Sequence, residues 1–144
     1  MIPAVLLKLQ RAKETGKPPV FWGTGKPRRE FLYALDMAKV VLWAIEHYED
    51  PQTLIVAPPQ DEAIDTVVRL LSKYVGYYGP VQWDTSKPDG RLTRQTDKRK
   101  FLRLQPYFLF TPLPEGLREV AEHFQKTYPN LRGLKTMEEI HGQR

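Results

Sequence analysis

Three tracts of this chain carry side chains whose type and spacing could do chemistry. Gly23-Thr24-Gly25-Lys26 has the look of a phosphate-cradling loop, Trp22 with Arg28 and Arg29 brackets it, and Lys87 to Arg103 gathers seven basic residues against Asp89 and Asp97. A P-loop requires glycine five residues before its final Gly-Lys and Ser or Thr after the lysine. Those positions hold Val20 and Pro27, and proline offers neither a hydroxyl nor an N–H, so a Walker site is excluded. No Gly-x-Gly-x-x-Gly fingerprint occurs, and no tyrosine is followed four residues later by lysine. His47, His123 and His141 share no ligand spacing, so no metal site is expected and the three read as surface residues. Taken alone, Trp22 reads as core packing, Arg28-Arg29 as a solvated turn and the basic tract as solvated surface with some capacity for phosphate.

Composition bounds these readings. The 144 residues hold no cysteine, which removes disulfides, thiolate metal sites and cysteine nucleophiles. A net charge of +5 favours an anionic partner, yet the excess is small for gripping long nucleic acid, and a nucleotide would satisfy it equally well. With 41% hydrophobic and 27% charged residues the chain should fold, and its length suits one domain, residues 1–144, with a loosely held tail from about 130. No apolar run reaches the roughly 20 residues of a membrane span, and Met1-Ile2-Pro3-Ala4 lacks a leader's features, so a cytoplasmic location is expected.

The elements that must position the three tracts follow from periodicity. Val5, Leu9 and Ala12 mark a helix over residues 2 to 12 that ends near Gly16, with Pro3 in its first turn. Val20-Phe21-Trp22 predicts a strand before the glycine-rich turn. Met37, Val40, Val41, Ala44, Ile45 and Tyr48 give a helix with a broad apolar face, and Leu54-Ile55-Val56-Ala57 predicts a buried parallel strand. A further helix carries Ile64, Val67, Val68, Leu71 and Val75, with Asp61 as candidate N-cap and Gly76 at its end. Val81 to Asp84 alternates as a strand, Lys87 to Gly90 turns, and Leu117, Val120, Ala121 and Phe124 form a last helix with Pro114 in its first turn. Helices alternating with short strands imply α/β architecture.

In order along the chain, Phe21 to Tyr33 resembles the Trp-Gly-(Thr/Ser)-Gly-x-Pro-x-Arg-(Glu/Gln)-Phe segment of GDP-L-fucose synthases. Ile2-Pro3-Ala4 is similar to the opening of that family's substrate helix, and Leu35-Asp36-Met37-Ala38 to its Asp-(Leu/Met)-Ala. Val75-Gly76-Tyr77 and Trp83 to Gly90 resemble its Gly-Tyr and Phe-Asp-x-(Ser/Thr)-Lys-x-Asp-Gly. The similarity covers roughly residues 2 to 128.

The resemblance implies the C-terminal substrate-binding portion of an extended short-chain dehydrogenase, with the Rossmann nucleotide-binding half absent. It implies a GDP-sugar ligand bound through Lys8, Trp22, Arg29 and Arg94. The family uses NADP to epimerise and reduce GDP-4-keto-6-deoxy-D-mannose, and it is homodimeric. Its cofactor loop and catalytic residues have no counterpart here, so no catalytic residue is expected in the chain and alone it should be inactive; a separate nucleotide-binding half is a candidate partner. Family members often have Arg at Lys8 and have Lys at Arg94, which keeps the charge but alters the geometry. Ala57-Pro58-Pro59-Gln60 replaces a glycine-containing segment. The competing reading is a noncatalytic basic module contacting nucleic acid or a protein.

Overall fold

The computed structural model describes residues 1–130, so the expectations for His141 and for the tail lie outside the described residues. Helix α1, Ile2–Thr15, starts on Pro3 and stops at Gly16, whose φ of 70° few other residues accept and whose N–H returns to the Ala12 carbonyl at 2.9 Å. Strand β1, Val20–Trp22, and β2, Arg28–Arg29, flank the glycine-rich turn. Helix α2, Ala34–His47, precedes β3, Glu62–Ala63, which runs directly into helix α3, Ile64–Val75. Strand β4, Gln82–Asp84, then the short helix α4, Arg99–Leu104, and helix α5, Leu113–Thr127, complete the order.

The core is a helical sandwich with α3 in the middle. Val67, Val68, Leu71 and Val75 line its buried face, Leu6 and Leu9 meet it from α1, and Leu117, Ala121 and Phe124 meet it from α5. Each fully buried leucine or phenylalanine contributes about 1.5–3 kcal/mol, so this stripe is the chief support of the fold. Two strand pairs cap it. β1 runs parallel to β4, with Phe21 opposite Trp83 and their rings 5.5 Å apart, and β2 runs antiparallel to β3.

A second cluster sits under α2. Phe101 of α4 is fully buried, and the rings of Trp43, Phe108 and Phe110 meet it edge-on, Trp43 at 6.5 Å. Asp36, only 1% exposed, fastens α2 to the chain beyond α4 by accepting the Thr111 N–H at 2.6 Å and its hydroxyl at 3.0 Å.

The structure corrects two expectations. Leu54 to Ala57 is not a strand: the segment has no paired neighbour among the described residues, because a parallel strand needs a sheet beside it. Asp61 is not the cap of α3, where Ala63 takes that position; its carboxylate is drawn away by the Arg28 guanidinium at 2.7 Å. Helix α4 is an addition, its six residues too short for periodicity to mark. Among the described residues no helix is long and apolar enough to cross a membrane.

Candidate functional site

Strand alternation sets the site's first feature. Phe21 points into the core, so its neighbour Trp22 must point out, and the indole-bearing residue is 73% exposed. Core packing is therefore not its role. The turn after it is clamped from a distant segment: the Gly23 N–H donates to the Asp84 carbonyl at 2.9 Å. The Thr24 N–H and hydroxyl donate to the two Asp89 carboxylate oxygens at 2.8 and 2.6 Å. These donors hold the Asp89 carboxyl below the usual carboxylate range. Gly25, at φ 74°, lies so near Trp83 that a Cβ would come within 2.7 Å of its ring, which only glycine avoids.

Lys8 reaches the same turn from α1. Its ammonium donates to the Val20 carbonyl at 2.6 Å and lies 5.1 Å from the centre of the Phe21 ring. With Arg11, Lys17 and Trp22 it lines an open depression of about 410 Å³.

The two arginines after the turn divide their work. Arg28 is structural, its guanidinium bonded to the Asp61 carboxylate and backbone carbonyl, each at 2.7 Å. That pairing holds Asp61 below its usual range and raises Arg28. Arg29 turns the other way. One terminal nitrogen donates to the Arg28 and Arg91 carbonyls at 2.6 and 2.9 Å, and the other lies beside Gly90, next to the Asp89 clamp.

The structure thus brings Lys8 and Trp22 to one depression and joins Arg29 to Trp22 through the chain Gly23, Asp89, Gly90. Arg94 is exposed and makes no hydrogen bond or ion pair with the other three among the described residues. Much of the remaining basic tract is spent locally. Lys98 is held by Glu30 and by the Pro58 and Pro59 carbonyls, Arg99 by Asp97, and Lys100 by Asp50.

Sequence reasoning missed Arg11 and Lys17 as lining residues and the Thr24–Asp89 clamp. Arg11 stands three residues after Lys8 on a helix, a spacing that could have found it. Nothing local marks the clamp, whose halves are 65 residues apart. Chemically, several cations around an outward-facing indole can hold a phosphate-bearing ligand and pack against its base or sugar. Among the described residues no group of histidine, aspartate and glutamate could hold a metal ion.

Known proteins resemble the chain in sequence and in fold. The model of the NAD dependent epimerase/dehydratase family matches residues 1–57. GDP-L-fucose synthase of Dictyostelium discoideum is 31% identical over 134 residues, covering 92% of this chain and 42% of the relative. GDP-L-colitose synthase of Yersinia pseudotuberculosis is 40% identical over 99 residues, 67% of this chain and 32% of that one. In structure, the GDP-L-fucose synthetase of Naegleria fowleri, solved bound to NADP, superposes with a TM-score of 0.87 at 30% identity, over 91% of this chain and 41% of that one. A GDP-mannoheptose C4 reductase of Campylobacter jejuni, also with NADP bound, gives 0.71 at 26% identity, over 86% of this chain and 44% of that one. The chain spans about two fifths of the length of the Dictyostelium relative. By sequence and by fold, the chain is similar to the C-terminal part of GDP-L-fucose synthases, and its first 57 residues match the NAD dependent epimerase/dehydratase family.

Proposed function

We propose that this chain is the GDP-sugar-binding part of an enzyme of the GDP-L-fucose synthase type. The whole enzyme would epimerise and reduce GDP-4-keto-6-deoxy-D-mannose with NADPH, and this part would hold the nucleotide. The observation that carries the reading is the clamped turn, which presents Trp22 outward beside Lys8 while Arg29 lines the adjoining 89–91 segment. Two relatives and two solved neighbours share GDP in their names but carry three different sugars, which supports recognition of the shared half of the ligand.

In this reading Lys8 and Arg29 neutralise the diphosphate, Trp22 packs against a ring of the ligand, and Arg94 folds onto the phosphates when they arrive. The residues present do not fit the cofactor. NADP supplies hydride when bound, but its pyrophosphate needs a glycine-rich loop at a helix N-terminus, and the 144 residues contain no such fingerprint. No reductive step is therefore derived from this chain, whose share of the work is binding and orientation.

Thermal melting with and without millimolar GDP tests the proposal. Ligand that binds only the folded state at about 100 times its Kd adds about 2.7 kcal/mol of stability, so the midpoint should rise, and rise less with ADP. A folded sample whose midpoint ignores GDP would refute it.

A further inference from the structure

Helix α3 is packed by α1 and α5, yet along Asp65, Arg69, Ser72 and Lys73 it borders an open groove of about 530 Å³. The facing wall is the chain from Tyr77 into β4. The groove is separate from the depression that holds Lys8 and Trp22. Strand pairing sets Trp83 opposite Phe21 on the inner face of the β1–β4 pair, and alternation puts Trp22 on the outer face.

Its walls are fixed in advance. The Ser72 hydroxyl is spent on the Val68 carbonyl at 2.9 Å and the Tyr77 hydroxyl on the Pro80 carbonyl at 2.8 Å. Trp83 lies between the Phe21 ring, 5.5 Å away, and Gly25, whose carbonyl accepts the Asp65 N–H at 2.9 Å. Val68, Val81 and the Trp83 ring thus leave a rigid apolar floor.

The rim is charged and uncommitted. Arg69 and Lys73 are exposed on neighbouring turns of α3, about 5–6 Å apart at Cβ, and neither makes a hydrogen bond or ion pair among the described residues. Asp65 stands four residues before Arg69, a spacing at which aspartate and arginine pair, but its carboxylate accepts the Thr66 N–H at 2.6 Å instead. Arg28, Lys98, Arg99 and Lys100, by contrast, are each bound by a carboxylate. Tyr78, 86% exposed, adds an aromatic ring to the same rim.

We propose that this groove is a second binding site, taking a small ligand that joins one aromatic ring to an anionic group, a carboxylate or a phosphate. The ring would lie on the apolar floor against Trp83 and Tyr78, and the anion would accept hydrogen bonds from Arg69 and Lys73. The volume falls within the roughly 300–1,000 Å³ of small-ligand sites. A purely apolar ligand would leave both cations unused, and an inorganic anion would leave the floor in water. Asp65 repels an anion at its own end of the groove, so the charged group belongs towards Lys73, two turns along the helix. The proposal does not depend on the GDP reading.

Phenyl phosphate is the probe, titrated into the isotope-labelled chain and read at the indole N–H signals, which Trp22→Phe and Trp83→Phe assign. A saturable movement of the Trp83 signal is expected. Phenol and inorganic phosphate, each carrying half of the ligand, should bind at least about fivefold more weakly. The double variant Arg69→Gln with Lys73→Gln, both exposed, should raise the phenyl phosphate Kd about tenfold and leave the melting midpoint unchanged. Tyr78→Ala should weaken phenyl phosphate and phenol but not inorganic phosphate. No saturable shift at Trp83, or phenol or inorganic phosphate binding as tightly as phenyl phosphate, would overturn the proposal. So would a Trp83 shift that follows Trp22 at a single Kd and ignores the double variant, because the probe would then sit in the depression beside Lys8.

Discussion

Replacing Arg29 by alanine is the sharpest test of the site, because its side chain is already half committed. One terminal nitrogen is occupied by the Arg28 and Arg91 carbonyls at 2.6 and 2.9 Å, which leaves the other, beside Gly90, for a ligand oxygen. A single charge-assisted hydrogen bond contributes about 1.5–3 kcal/mol, so Arg29→Ala should raise the Kd for GDP by roughly 10- to 150-fold. Alanine also frees the Arg91 carbonyl, and Arg29→Lys separates the two effects. Lysine keeps the charge and can hold one carbonyl but lacks the planar fork, so an intermediate loss is expected. Arg94→Ala should weaken binding similarly, if the exposed arginine closes on the phosphates. Arg99→Ala is the control, since that guanidinium is already gripped by Asp97 at 2.8 and 2.7 Å. Isothermal titration with GDP at one fixed salt concentration reads all four. Binding by folded Arg29→Ala within twofold of the parent would remove Arg29 from the site, and an equal loss in Arg99→Ala would show a diffuse charge effect instead of a site.

Asp36→Ala should cost about 2–4 kcal/mol, because it strips the Thr111 N–H of its buried acceptor, and the melting midpoint should fall by roughly 5–15 °C; a fall under 2 °C would contradict the fastening role. Acid should act late. Burial pushes the Glu30 carboxyl up, but Lys98 and Thr96 more than offset it, and Asp61 and Asp89 are also held low by their donors. Carboxyls lowered in the folded state contribute stability that is full at neutral pH and lost as pH falls below their ordinary value of about 4 towards the folded ones. Melting midpoints should therefore hold from pH 7 to 5 and drop between about pH 4 and 2; a drop already complete by pH 5 would contradict this. Incubated with the keto-sugar and NADPH, the 144-residue chain should neither oxidise NADPH nor exchange sugar protons with deuterated solvent, and turnover abolished by Arg29→Ala would reveal a catalytic set unseen here.

What could be read from the sequence was what depends on neighbours in the chain. Helical periodicity located α1, α3 and α5, and glycine located the ends of α1 and α3, because both signals arise within one or two turns. The short strands β1 and β4 were legible from alternation and flanking turns. Segment 54–57 was misread because apolar composition reports what a strand would like and not whether a sheet is present to receive it. Asp61 was misread because an arginine 33 residues away outbids a helix end. For the site, the resemblance pointed to Lys8, Trp22, Arg29 and Arg94, and three of them lie on or beside one clamped turn; the clamp itself, made across 65 residues, had no local signature.

That separation has a consequence for how the protein is made. Lys8, Trp22 and Arg29 leave the ribosome ahead of Asp89, which secures their turn, and of β4, which gives β1 its partner, both encoded some 60 residues later. At about 5–20 residues per second the first half of the site waits several seconds for its other half. During that interval Lys8 can already meet the Val20 carbonyl, but the turn lacks its Asp89 clamp, and parallel pairing across so long a loop is slow even when the whole chain is present. Slowing translation ahead of Asp89 would lengthen the wait without changing the final structure, whereas a stop before it would leave a peptide with an exposed Trp22 and nothing to hold it in place.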